Sequence, residues 1–234
     1  MNEKKSLRET ELYESRFHYK EDRSNMRFLT AIILIFMVLF CAMTSWKLHF
    51  GGVQVSGGSM LNTLHSGDYL LMEYYQEGEE LEYGSVIVLD IEHYPEVQEY
   101  NRKQKEKNPA WQDTKFVIKR LIAKEGDKVR CKQGVVEVWY NGTDGYQVLD
   151  EPYITPSIAG TYSFTEYVVG EGEVFFLGDN RGISMDSRFY EGQSHLDRLY
   201  KETDICGIVP DWAIEHKETL EQIFFWREKL GKGD

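Results

Sequence analysis

The sequence predicts a mostly β domain carried on one N-terminal transmembrane helix, with a further helix at its C-terminal end. Three observations predict this. Phe28 to Trp46 is a run of 19 residues without a charged side chain. Beyond Gly52 the chain breaks into short segments rich in Val, Ile, Phe and Tyr, bounded by Gly, Asp or Asn. Residues 216–230 place Leu220, Ile223, Phe224 and Leu230 at spacings that share one helical face.

Residues 1–27 hold seven Lys/Arg and six Asp/Glu, so this segment is about neutral. The rest of the 234-residue chain carries all the net negative charge, and the whole chain has a net charge of −12. That balance argues against a nucleic-acid partner, because phosphate binding needs clustered Lys and Arg. As a helix, residues 28–46 span about 28 Å, close to the thickness of a hydrocarbon core. The competing readings are a cleaved signal peptide and a buried core helix. No A-x-A site follows the run, 27 residues precede it, and it has no polar face, so a retained span is the better reading. Arg16, Lys20, Arg23 and Arg27 lie on its N-terminal side and only Lys47 follows closely. The N-terminus is therefore expected in the cytoplasm and the remainder outside.

Residues 47–215 form the expected extracytoplasmic domain. Strands are predicted over 68–75, 85–90, 116–123, 128–142 and 173–180, with a hairpin turn at Asn141-Gly142. Residues 91–114 are charged and nearly free of aliphatics, and read as a mobile surface insertion. The tail, 216–234, packs on the body or lies on the membrane. Cys131 and Cys206 have no spacing that fixes a pairing, and two buried thiols are the simpler reading.

Three segments carry chemistry. "VSGGSMLNTL" (55–64) sets Ser59 among glycines just after the span. A serine hydroxyl is a poor nucleophile unless a base takes its proton. His65 lies near, but solvated loop histidines are common. In "KFVIKRLIAKEGDKV", Lys119 shares a strand face with Val117 and Leu121. Burial on that face would lower the lysine pKa toward a useful range. The competing reading is a gatekeeper lysine on an edge strand. "FFLGDNRGISMDSRFYEG" (175–192) packs paired charges and hydroxyls more densely than a turn needs.

Together, and in this order behind an N-terminal span, these segments resemble the bacterial type I signal peptidases, in the single-span form typical of Gram-positive bacteria. The likeness covers about residues 28–209. It implies a β-sheet or barrel catalytic domain and a Ser–Lys endopeptidase that removes N-terminal signal peptides from exported preproteins. It implies Ser59 as nucleophile, Lys119 as general base and Ser184 as the group that orients Lys119. The oxyanion donors would be the Ser59 backbone N–H and Gly57. Val53, Val55, Met60, Leu64 and Ile118 would line shallow apolar pockets for small side chains. Asp179 with Arg120, and Asp186 with Arg188, would support the site. No metal or cofactor is expected, and the expected partners are secretory preproteins and the lipid bilayer, with the chain a monomer in the plasma membrane.

The sequence departs from the family pattern in places. Asn62 stands where proline is usual, and Ala123 and Glu125 where glycine and proline are usual. Glu125, if close to Lys119, would raise its pKa. The stretch from Arg188 to Gly192 is one residue longer than usual. Two other readings stand beside this one. One is a non-catalytic or dedicated pilus or secretion assembly factor with this fold. The other is a self-cleaving repressor-type Ser–Lys peptidase, which the span and the acidic charge disfavour.

Overall fold

The computed structural model describes residues 2–159, 161–190 and 200–223. Two units are distinguished, residues 1–49 and residues 50–234.

The first unit is one helix, α1 (Asn2–His49). Its part from Asn25 to His49 has a mean hydropathy of 2.5 and is long and apolar enough to cross a membrane. The large apolar side chains of this stretch, Phe28 through Leu48, are exposed. A helix satisfies its own backbone polar groups, which is what a segment surrounded by lipid requires.

The second unit is built on two antiparallel sheets. Its elements in order are β1 (Phe50–Gln54), β2 (Tyr69–Tyr74), β3 (Val86–Asp90), α2 (Pro95–Lys107), β4 (Phe116–Lys124), β5 (Lys128–Lys132), β6 (Val135–Trp139) and β7 (Gln147–Val148). The short α3 (Pro156–Ala159), β8 (Phe164–Val168), β9 (Val174–Leu177), β10 (Ile205–Val209) and α4 (Asp211–Glu215) follow. The larger sheet has the order β1-β2-β10-β3-β4-β9, and the smaller one β7-β6-β5-β8. Residues 217–223 are again helical, and Leu220 is buried beneath them. Of the other residues expected on that face, Ile223 is exposed, and Phe224 and Leu230 lie outside the described residues.

β3 is buried along almost its whole length, as a central strand with both faces covered should be. One face, with Ile87 and Leu89, packs with Leu121, Phe176, Tyr200 and Ile205. The other, with Val86 and Val88, packs with Met60, Leu64, Leu70 and Leu220. A third cluster joins the sheets, with Ile122, Phe175 and Leu177 against Val129, Val136 and Val138.

The structure departs from the sequence expectation in two places. Asn141-Gly142 does lie in the turn that joins β6 to its antiparallel partner β7. The predicted strand 128–142, however, is divided into β5 and β6 by a turn at Gln133–Gly134, where Lys132 pairs with Val135. Both turn residues have positive φ, and the left-handed Gln133 is held by its N–H on Ser163 Oγ. The insertion 91–114 is a built element. Pro95 opens α2, Val97 joins the core, and Asn101 accepts from Thr114 N–H and donates to Thr114 O. Cys131 and Cys206 are both free thiols, one in each sheet, in line with the simpler reading of the sequence.

Candidate active site

Ser59 lies in the loop between β1 and β2, five residues after the edge strand β1 ends. Lys119 sits on β4, an interior strand paired with both β3 and β9. An interior position excludes the edge-gatekeeper reading. By strand parity Lys119 shares a face with Val117 and Leu121, and both pack into the core with Ile87. The sheet therefore buries the lysine, which is 4% exposed.

Lys119 Nζ lies 3.0 Å from Ser59 Oγ and donates to Ile118 O at 2.9 Å. Among the described residues no carboxylate lies in direct contact with it. Burial is the largest influence on the amine and lowers its pKa from 10.5 to about 8. Asp186 and then Asp179 act against this from a distance. Glu125 is not among the groups that move it. That carboxylate is exposed and accepts from Gly172 N–H.

The predicted supporting pairs are made. Arg120 holds Asp179 through two bonds of 2.8 and 2.7 Å, and Arg188 holds Asp186 through 2.7 and 2.8 Å. Asp186 also accepts from Gly178 N–H at 3.0 Å. Ser184 is fully buried next to this site. Its expected bond to the Lys119 amine is not formed; the Ser184 hydroxyl has no partner among the described residues. Gly178 must lack a side chain, because a Cβ there would collide with Ser184 Oγ and come within 2.6 Å of Ser59 O.

Several residues that sequence reasoning did not assign complete the site. Asn180 clamps the nucleophile loop, with its N–H on Ser59 O at 2.9 Å and its amide on Gly58 O at 3.1 Å. Thr63 donates to Asp179 and accepts from Arg120. Tyr153 stacks on the Arg120 guanidinium at 4.0 Å. Arg181, itself buried, pairs with Glu151 and donates to Gly178 O. The density of charged residues in 178–188 was the available signal for Asn180 and Arg181. Nothing in the sequence marked Thr63, Glu151 or Tyr153.

The expected oxyanion donors separate. Gly57, with φ of 88°, directs its N–H to Ser66 Oγ at 3.3 Å. The Ser59 N–H makes no hydrogen bond among the described residues. The expected pocket residues cluster together, but unequally exposed. Val53 and Ile118 are partly exposed, whereas Val55, Met60 and Leu64 belong to the core. Leu64 at 0% and Met60 at 1% exposure support the loop from below.

Comparisons with known proteins show the family. The family model "Signal peptidase, peptidase S26" matches residues 27–216. A probable signal peptidase I-1 of Synechocystis sp. is 30% identical over 139 residues, 58% of this chain and 60% of that protein. The signal peptidase I of Bacillus licheniformis is 30% identical over 143 residues, 57% of this chain and 63% of that protein. The match thus spans less than two thirds of the length of either relative. The crystal structure of a signal peptidase I from Enterococcus faecalis covers 56% of this chain and 98% of that one, with a TM-score of 0.36 and 20% identity. With the model matching from the end of the charged N-terminal segment to the residue after α4, the chain belongs to the S26 signal peptidase family.

Proposed function

We propose that this chain is a membrane-anchored serine endopeptidase that cleaves N-terminal signal peptides from exported preproteins after small side chains. The observation that carries the reading is a buried amine, with its pKa lowered to about 8, placed 3.0 Å from a loop serine hydroxyl.

In this mechanism neutral Lys119 takes the proton of Ser59 Oγ as that oxygen attacks the scissile carbonyl. The oxyanion forms against the unengaged N–H of Ser59. Lys119 then returns the proton to the departing amine, leaving an acyl-enzyme on Ser59. Water, deprotonated by Lys119, releases the acyl group and restores the hydroxyl. Ser184 serves as a positioning residue for Lys119, and its bond to the amine forms as substrate enters. Asp179–Arg120 and Asp186–Arg188 keep the strands around the base in register. Val53 and Ile118 receive small apolar side chains. The apolar run, with Lys/Arg concentrated before it, supports a position of this chemistry at the outer face of the plasma membrane, with the N-terminus in the cytoplasm. Protease added outside intact cells should degrade the 50–234 domain; its protection would reverse the orientation.

The test is a cleavage assay. Detergent-solubilised chain and its Ser59→Ala variant are mixed with a preprotein bearing an A-x-A site, and the new N-terminus is sequenced. Cleavage after the small residue by the wild type alone is expected. Cleavage by Ser59→Ala would overturn the assignment. Inactivity of both would favour the non-catalytic assembly factor.

A further inference from the structure

The helical residues 217–223 begin one residue beyond the family match and still reach the catalytic loop. Lys217 Nζ donates to Thr63 O at 3.0 Å and to Asp68 Oδ2 at 2.9 Å. Asp68 Oδ2 also accepts from His65 N–H at 2.8 Å. One ammonium therefore joins both ends of the 63–68 segment. Three residues on, Leu220 packs into the cluster that holds Met60 and Leu64.

We propose that Lys217 is a positioning residue for the reaction, holding the nucleophile loop in register with the base. The proposal rests on the peptidase reading above. Two paths lead from the Thr63 carbonyl to the reacting atoms. Along the backbone, Leu64 N–H donates to Met60 O at 2.8 Å, and Met60 follows Ser59 directly. Through the side chain, the Thr63 hydroxyl donates to Asp179, which grips Arg120 beside Lys119. A shift of Thr63 therefore displaces the serine and disturbs the support of the lysine together.

The Lys217 and Asp68 side chains are 22% and 17% exposed, respectively. A pair this near water adds little to global stability. The effect of losing it should appear in the rate, since small misplacements of a catalytic group slow the chemical step far more than they weaken the fold.

The experiment uses the full chain in detergent with a preprotein bearing an A-x-A site. Lys217→Ala should lower kcat about tenfold with KM within about twofold of wild type. Its melting temperature should stay close to that of wild type. Lys217→Arg, which keeps the charge and the donors, should restore most of the rate. Glu218→Gln, exposed on the same helix, should leave activity unchanged. A wild-type kcat in Lys217→Ala overturns the proposal. So does a loss that matches a fall in folded fraction and is not recovered by arginine. A wild-type chain that cleaves nothing overturns the peptidase reading itself, and the proposal with it, which separates the two failures.

Discussion

At the residue scale, the site turns on one buried lysine. Lowering the Lys119 pKa from 10.5 to about 8 disfavours its charged form in the fold by about 3 kcal/mol. Between those values the unfolded chain binds more protons than the folded one. Stability should therefore rise as pH rises from about 8 to about 10.5. Cleavage should rise with pH along an ionisation near 8, because only the neutral amine accepts the serine proton. Lys119→Met should abolish cleavage and raise the melting temperature at pH 7, where wild type bears the buried charge. A melting temperature at or below that of wild type would contradict this account of the burial. The residues alone left Lys119 open; the pair Ser59 and Lys119, and the ion pairs Arg120–Asp179 and Arg188–Asp186, were legible through the resemblance of their segments to a known family. The contacts of Thr63 and of Glu151 were not, since their partners lie 116 and 30 residues away. No local pattern encodes a contact at such range.

At the element scale, β2, β3, β4 and β9 were legible as apolar runs between turn residues. β1 and β10 were not, because Gly51, Gly52 and Gly207 interrupt them. Of these, Gly207 faces backbone, whereas Gly51 faces the movable ends of side chains. A Cβ at Gly51 would meet Met72 and Tyr74 at 2.9 Å. The helix α2 escaped notice because its sequence is mostly charged, with Val97 as its one apolar anchor in the core. The ion pairs along it, such as Arg102 with Glu99 and Glu106, are solvent-exposed and add little. Val97 and Asn101 do the anchoring. Val97→Ala should lower stability by about 2 kcal/mol, measurable by denaturant unfolding. Deleting 93–112 should therefore destabilise the domain, where a plain surface loop would be removed without effect. An unchanged unfolding midpoint in Val97→Ala would show that α2 does not seal the core.

At the scale of the whole molecule, the larger sheet divides into two parts. β1 and β2 flank the Ser59 loop, whereas β3, β4 and β9 surround Lys119 and lead into the Asp179–Arg120 pair. Within the sheet these parts meet only through β10, which pairs with β2 on one side and β3 on the other. Gly207 sits at this junction, and a Cβ there would come within 2.8 Å of Glu73 O on β2. Gly207→Val should cost about 2 kcal/mol of stability and most of the activity, with both catalytic side chains intact. Full cleavage by that variant would show that β10 does not govern the pairing. The position of β10 also sets a timetable. Ser59 and Lys119 both precede β10 in the chain, so the sheet that joins their strands closes only once residues 205–209 lie between β2 and β3.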